Sequence, residues 1–432
     1  MQLYLEPINM IKLLIIFSIL IFPFQFLSYQ TAYTGDSGSS YHFSCFIFIL
    51  ISFLSLLTKG KISLKTIIFF ALFFLIQFIL VYFFQVAPIN RFISGLVFFG
   101  GLLLVYSQSS LIKLDPRTIF KCIVFPVTLS AFIALIQYVI LGIDRPKAFF
   151  AEPSTSGLVF FSMASAILCT LVNFRVRLKY KYLLVIILIL TFFTGILSKS
   201  MHIITFLLVL AIFLLPRFCN RFLSKYSFYF LLKSIYLAFL APPVIVISMR
   251  YIDFDHIYQR LGLSSSSSSN ISYLSWLRGL DQALASVNMS PLFGLGLGST
   301  GYFDFYSVNT ISLESYKVSY LNLTDAYSLA LRLIIEVGIV FSFIFMYVMF
   351  KQIVSFRKFV SLTQNSTSFV IISTYFNYIF SLSIVIGCLI KEPVYSQSYL
   401  YVAIFILSSF KLLNAHEGSA LMYGNEKNQV RR

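Results

Sequence analysis

The residues that could do chemistry are charges set among long apolar runs. The segment Asp144-Arg145-Pro146-Lys147-Ala148-Phe149-Phe150-Ala151-Glu152-Pro153-Ser154 combines two cations with a carboxylate that precedes a proline. A carboxylate just before a proline suits a helix start, where free backbone N–H groups stabilise negative charge. The same carboxylate, beside Arg145 and Lys147, is equally a candidate base or acceptor-binding group. Lys391-Glu392-Pro393 repeats the pattern near the C-terminus. Arg332 and Glu336 are four residues apart, hence on one helical face, at membrane depth. Ionisable residues there point to function, although this pair can also neutralise itself. Asp325 precedes the same run and reads as its cap. Lys199 lies between Ser198 and Ser200 in a tight turn, with His202, read as a packed histidine, just beyond. Arg250 and Arg278 complete the set. Cations gathered at one membrane face suit an anionic, membrane-anchored substrate such as a lipid pyrophosphate; singly, each also suits snorkelling to lipid phosphate.

Other chemistries find no footing. There is no Walker A sequence, no HExxH or other metal-ligand spacing, and the glycines near Gly296 follow no strand. Five cysteines form no CxxC pair and read as small apolar packing residues. No cofactor and no metal are expected. The net charge of +17 is distributed as short clusters between apolar runs, which excludes a nucleic-acid-binding stripe.

The elements that must position these residues follow from composition. The chain is 59% hydrophobic and 11% charged, against about 25% charged in soluble domains. Twelve runs are apolar and long enough to read as transmembrane helices. They are Ile11–Tyr29, Tyr41–Leu57, Leu64–Val86, Phe92–Tyr106, Ile119–Leu141, Ser156–Phe174, Tyr182–Leu197, Met201–Leu215, Leu231–Met249, Ala326–Phe350, Phe369–Ile390 and Val394–Leu413. The expected fold is an all-α polytopic membrane protein of about twelve spans. Its N-terminal run lacks a small-residue cleavage site and reads as a retained first span. Pro242-Pro243 interrupts the ninth run as a hinge or a tolerated kink.

Orientation follows from the basic loops. Clusters such as Lys59/Lys61/Lys65, Arg175/Arg177/Lys179/Lys181 and Lys351/Arg357/Lys358 all fall on one side when both termini are cytoplasmic. The segment between the ninth and tenth runs then faces outward. This divides the chain into spans one to nine (1–249), a large outer loop (250–325), spans ten to twelve (326–413) and a cytoplasmic tail (414–432). In the loop, the serine run Ser264–Ser269 reads as a spacer. Ile271–Asn288 has amphipathic helical spacing, and Gly294-Leu295-Gly296-Leu297-Gly298 reads as a turn. The loop helix is expected to lie against the membrane surface.

Four pieces of sequence resemble the bacterial O-antigen polymerases, within the ligase and polymerase group of lipid-dependent GT-C-type glycosyltransferases. They are Phe150-Ala151-Glu152-Pro153-Ser154, the Gly195 to Ser200 turn, Pro291-Leu292-Phe293-Gly294-Leu295-Gly296-Leu297-Gly298, and Asp325 to Gly338 with Glu336-Val337-Gly338. The layout of twelve spans around one large loop agrees. Ligases of the group tend to carry a histidine where the loop returns to the membrane; near Asp325 there is none. The resemblance implies glycosyl transfer at the periplasmic face of the bacterial inner membrane. The substrates would be undecaprenyl-pyrophosphate-linked oligosaccharides, with a chain-length regulator protein as partner. Glu152 and Asp325 would be the catalytic carboxylates. Arg145, Lys147, Lys199, Arg250, Arg278, Arg332, Glu336 and Lys391 would bind substrate. A ligase, or a flippase of similar span number, are the competing readings.

Overall fold

The computed structural model describes residues 7–24, 28–30, 40–59, 64–109, 112, 114–174, 176–222, 270–319, 321, 323–363, 367–392 and 395–409. The ninth apolar run, Arg250, the serine run and the tail lie outside the described residues. Every other expected run is helical. The helices are α1 (Pro7–Ile21), α2 (Phe43–Lys59), α3 (Leu64–Phe84), α4 (Ile89–Gln108), α5 (Pro116–Val139), α6 (Pro153–Asn173), α7 (Leu178–Leu197) and α8 (Ile203–Phe222). After them come α9 (Ile271–Met289), α10 (Val308–Ser315), α11 (Leu329–Thr363), α12 (Phe369–Ile390) and α13 (Ser398–Ser409). Among the described residues, six helices or helix segments are long and apolar enough to cross a membrane. They belong to α4, α5, α6, α7, α11 and α12. The chain is a helical multi-pass membrane protein.

Two expected boundaries change. The first run ends its helix at Ile21, and Ser28–Gln30 instead pairs antiparallel with Ser40–His42 in a short hairpin. The tenth run is a 35-residue helix interrupted at Gly338, whose φ of 79° and ψ of 177° are not helical.

Two helices form the centre. Nearly every residue of α6 and α12 is buried, and the two pack along each other. Small residues on α6 permit the close approach that membrane helices rely on. A Cβ added to Gly157 would meet Ser198 Oγ at 2.5 Å and Ser200 Cβ at 2.4 Å, so the α7–α8 turn rests directly on the start of α6. Some buried polar groups tie this core together, as Asn173 Nδ2 to the Tyr375 hydroxyl (2.7 Å) and Asn377 Nδ2 to the Pro116 carbonyl (2.8 Å) illustrate. Peripheral helices carry their large apolar side chains outward: Leu72, Leu75 and Phe78 on α3, and Tyr182, Ile186 and Ile189 on α7. So large an apolar exterior is what a lipid environment demands of a stable chain.

The outer-loop segment is ordered by local capping. Asn270 accepts from Ser272 N and Tyr273 N to start α9, and Ser307 accepts from Thr310 N to start α10. Asp281 on α9 holds α10 by accepting from Ser307 Oγ (2.6 Å) and Asn309 Nδ2 (2.9 Å). Beyond α9, the glycine segment is more than a turn. Leu295 N donates to the Ile335 carbonyl (2.8 Å), Gly296 N donates to the Glu336 carbonyl (3.0 Å), and Val340 N donates to the Leu292 carbonyl (3.2 Å). A helix broken at Gly338 leaves such groups without helical partners, and the loop strip supplies them. Gly338 and Gly294 make the crossing possible: a Cβ on Gly338 would lie 2.4 Å from the Gly294 nitrogen, and both adopt positive φ.

Candidate functional site

Four chain segments meet at one end of the bundle: the loop before α6, the α7–α8 turn, the return of the outer loop into α11, and the α12–α13 connection. Pairwise contacts join them. Arg145 Nε donates to the Ser198 carbonyl at 3.4 Å, Ser200 Oγ donates to the Ser154 carbonyl at 3.4 Å, and the Tyr327 hydroxyl lies 3.7 Å from Met201 Sδ. His202 Nε2 lies 3.5 Å from Glu392 Oε1.

Glu152 occupies the N-cap position of α6 with extended backbone, and Pro153 fills the first helical position. Its side chain makes no capping hydrogen bond, so the helix-start reading accounts for its place but not for its carboxylate. The carboxylate is exposed, and its Oε2 accepts from Ser154 Oγ at 3.1 Å. Before it, Gln137 Oε1 accepts from the backbone N–H groups of Lys147 (3.1 Å) and Ala148 (2.8 Å) and folds the loop over. Lys147 is exposed, its Nζ donating to the Ala151 carbonyl at 3.3 Å, and Arg145 is half-buried.

Asp325 closes a short turn in which its Oδ1 accepts from Tyr327 N at 3.1 Å. The expected helix cap is a different residue: Ser328 Oγ accepts from Leu331 N at 3.2 Å. Asp325 is therefore released from capping. Ala326 (φ 55°) and Tyr327 (φ 68°) are consecutive non-glycine residues in the left-handed region, a conformation costing roughly 1–3 kcal/mol each. Gly279 on α9 permits it, since a Cβ there would meet the Ala326 carbonyl oxygen at 2.5 Å. Burial pushes the Asp325 carboxyl above its usual range. The Tyr327 N–H and the Arg332 charge oppose that shift, while the nearby Glu152 and Glu392 charges add to it. A strained turn thus presents a carboxyl biased toward holding a proton.

The remaining expected residues divide. Arg332 Nε donates to Glu336 Oε1 at 2.9 Å, and its guanidinium sits 4.4 Å from the centre of the Tyr395 ring. Thr300 Oγ1 donates to the same Glu336 oxygen at 2.9 Å, tying this pair to the loop. Arg278 is buried and donates to the Ser319 and Leu321 carbonyls, while Gln282 Nε2 donates to the Leu323 carbonyl at 3.1 Å. Both clamp the strand of loop that leads to Asp325. Lys199 pairs with Asp144 at 2.8 Å on the rim. Lys391 ends α12, its N–H donating to the Gly387 carbonyl at 3.0 Å.

One constellation went unread in the sequence. Glu392 does not begin the last helix, which starts at Ser398. It lies in the connection, 8% exposed, its Oε1 facing His202 and its Oε2 accepting from the Tyr399 hydroxyl at 3.4 Å. His202 is fully buried, with Nδ1 3.4 Å from Thr205 Oγ1. Burial lowers the His202 pKa against the pull of Glu392. Burial also opposes the Glu392 charge, yet the hydrogen bond and charge of His202, with Lys391 and Ser154, together hold its carboxyl below the usual range. His202 and Glu392 form a closed, buried dyad. The repeated Glu-Pro dipeptide was the available signal for Glu392. Nothing in sequence spacing links it to a histidine 190 positions away. Ser154 faces both Glu152 and Glu392 and so joins the exposed carboxylate to the buried one.

No protein-family model matches the chain, and no curated protein matches it in sequence.

Proposed function

We propose that this protein is an O-antigen polymerase: it extends a lipid-linked glycan at the periplasmic face of the bacterial inner membrane. The observation that carries the reading is the convergence of Glu152, Asp325, Arg145, Lys147 and Arg332 from two segments far apart in sequence at one end of the bundle. Charges so arranged serve a reaction at the membrane surface. A flippase needs polar groups along a path through many spans.

In the proposed reaction the acceptor hydroxyl of an undecaprenyl-pyrophosphate-linked repeat unit attacks the anomeric carbon of the donor glycan. The new carbon–oxygen bond forms as the bond to the donor pyrophosphate breaks. The hydroxyl proton passes to Glu152, which is exposed and steadied by Ser154. Undecaprenyl pyrophosphate leaves carrying the bonding pair, its growing charge met by Arg145 and Lys147 beside Glu152. Asp325, whose carboxyl burial pushes above its usual range, stands in the returning segment near Glu152 and Arg332. Arg332, Glu336 and Lys391 border this region. Arg278 acts one step back, holding the loop that carries Asp325. No nucleotide sugar takes part, because the donor is already activated as a lipid pyrophosphate.

Deleting the gene in its own host and running the lipopolysaccharide on a gel tests the assignment. Loss of the ladder with a retained core-plus-one-unit band is the expected result. A core-only pattern would sink it and favour a ligase or flippase.

A further inference from the structure

The segment 289–298 joins α9 to the rest of the outer loop, and its contacts lie well below the ends of the helices it touches. Three helices measure the depth independently. On α11, the strip pairs around Gly338, nine residues from the helix start at Leu329, or about 13 Å along the axis. On α3, Leu297 N donates to Gln77 Oε1 at 2.9 Å, seven residues before the helix end at Phe84, or about 10 Å in. On α4, a Cβ at Gly95 would meet Leu297 Cβ at 3.2 Å, six residues from the start at Ile89, or about 9 Å in. These are the same end of the bundle, because Phe84 and Val86 pack in one cluster with Leu331, Ile335 and Leu295.

The backbone of the strip is equipped for that depth. Away from water each peptide group needs an internal partner. The N–H groups of Leu295, Gly296 and Leu297 and the carbonyl of Leu292 all have one, and the strip's partners on α11 are the groups that the Gly338 break would otherwise strand. The outward side is apolar. Leu292 is 54% exposed and Phe293 38%, next to Val340 and one turn from Phe343, which belongs to the exposed apolar side of α11.

We infer that residues 289–298 form a re-entrant element inserted among the acyl chains of the membrane, with Leu292 and Phe293 touching lipid hydrocarbon. The deepest point is the crossing of Leu292 with Val340. The chain then climbs through Gly296 and Gly298 between α3, α4 and α11. α9 descends into the membrane toward this tip: at Gly279 it is level with Ala326, just before α11 begins, and it ends at Met289 beside the strip. The occupant is hydrocarbon because the exposed tip continues the lipid-facing surface of α11 at the same depth.

The chain has a single tryptophan, Trp276, three residues before Gly279 and therefore on the shallow part of α9. This allows a depth measurement by fluorescence on the full-length protein in phosphatidylcholine vesicles. In a Trp276→Phe background, Phe293→Trp places the only tryptophan, excited selectively over the tyrosines, at the tip. Lipid brominated near mid-chain is expected to remove most of its emission, while aqueous iodide removes little. Native Trp276 is expected to show the reverse. Quenching of the Phe293→Trp protein by iodide and not by bromolipid would overturn the inference. If that variant does not elute as a folded protein, a nitroxide on Leu292→Cys gives the same reading: collisions with oxygen exceed those with a water-soluble nickel chelate. The opposite ratio rejects insertion.

Discussion

Two of the chain's three Glu-Pro dipeptides, at Glu152 and Glu392, have become opposites. Glu152 stands exposed ahead of α6 with a single serine hydroxyl on its carboxylate. Glu392 is sealed between α12 and α13, with a histidine and a tyrosine on its two oxygens. The dipeptide is shared, while its flanks (Ala151 and Ser154 against Lys391 and Val394) and the packing around it differ. The first carboxylate is free to meet a substrate, while the second fastens the α7–α8 turn to the α12–α13 connection. An exposed acid contributes little to stability, whereas a buried and paired one is expensive to disturb. The contrast teaches that a carboxylate's role here is set by what covers it.

Substitutions can break this contrast. Glu152→Gln keeps the shape and Ser154 contact but cannot accept a proton. It is expected to reduce chain extension by roughly 100- to 10,000-fold, with unchanged melting temperature in detergent. Full ladders from this variant would remove Glu152 from the site. Glu392→Ala leaves His202 buried without its partner. The expected loss is about 1–3 kcal/mol of stability, read as a clear drop in melting temperature or folded yield. A variant as stable as the wild type would show that the dyad is not a fastening. Stability should therefore separate the two Glu-Pro positions even where activity assays do not.

Asp325 sharpens the comparison from a third side. Its carboxyl is raised, so its favourable contribution exists when it is protonated and is lost as pH rises through its folded value. At neutral pH the ionised form opposes folding. Asp325→Asn is accordingly expected to match or exceed the wild-type melting temperature while chain extension falls. A clear loss of stability would contradict that placement.

The smallest effect concerns pH. His202 and Glu392 both sit below their ordinary values of 6.5 and 4.5. Groups depressed in this way stabilise the fold above their unfolded pKa, and that stability is lost as pH falls through their folded values. The melting temperature of the wild type should fall as pH is lowered from 7 toward 5, because the unfolded chain takes up a proton at His202 before the folded one does. His202→Gln should flatten that part of the profile. An unchanged slope would assign it to other groups.

Much of the fold was legible in the sequence because lipid imposes long apolar runs. Each run that falls on described residues contains a helix, although the first ends at Ile21 ahead of a strand and six helices are long and apolar enough to cross a membrane. Pro153 set the start of α6, and Ser328, rather than Asp325, caps α11. Arg332 and Glu336 met as their spacing implied. Contacts that depend on tertiary closure were hidden. The His202–Glu392 dyad joins positions far apart in sequence. The glycine segment reads as a turn until Gly338 is known to break α11 and expose backbone for it. Arg278 reads as a substrate cation by its charge alone, and only burial shows that it grips its own loop.

The most direct test supplies the purified protein in vesicles with a polyprenyl-pyrophosphate-linked repeat unit, with no nucleotide sugar and no ATP. The proposed activity requires a ladder of longer lipid-linked glycans with one polyprenyl pyrophosphate released per added unit, and loss of both with Glu152→Gln. Intact repeat units with no released pyrophosphate, from protein shown to be folded, would contradict it.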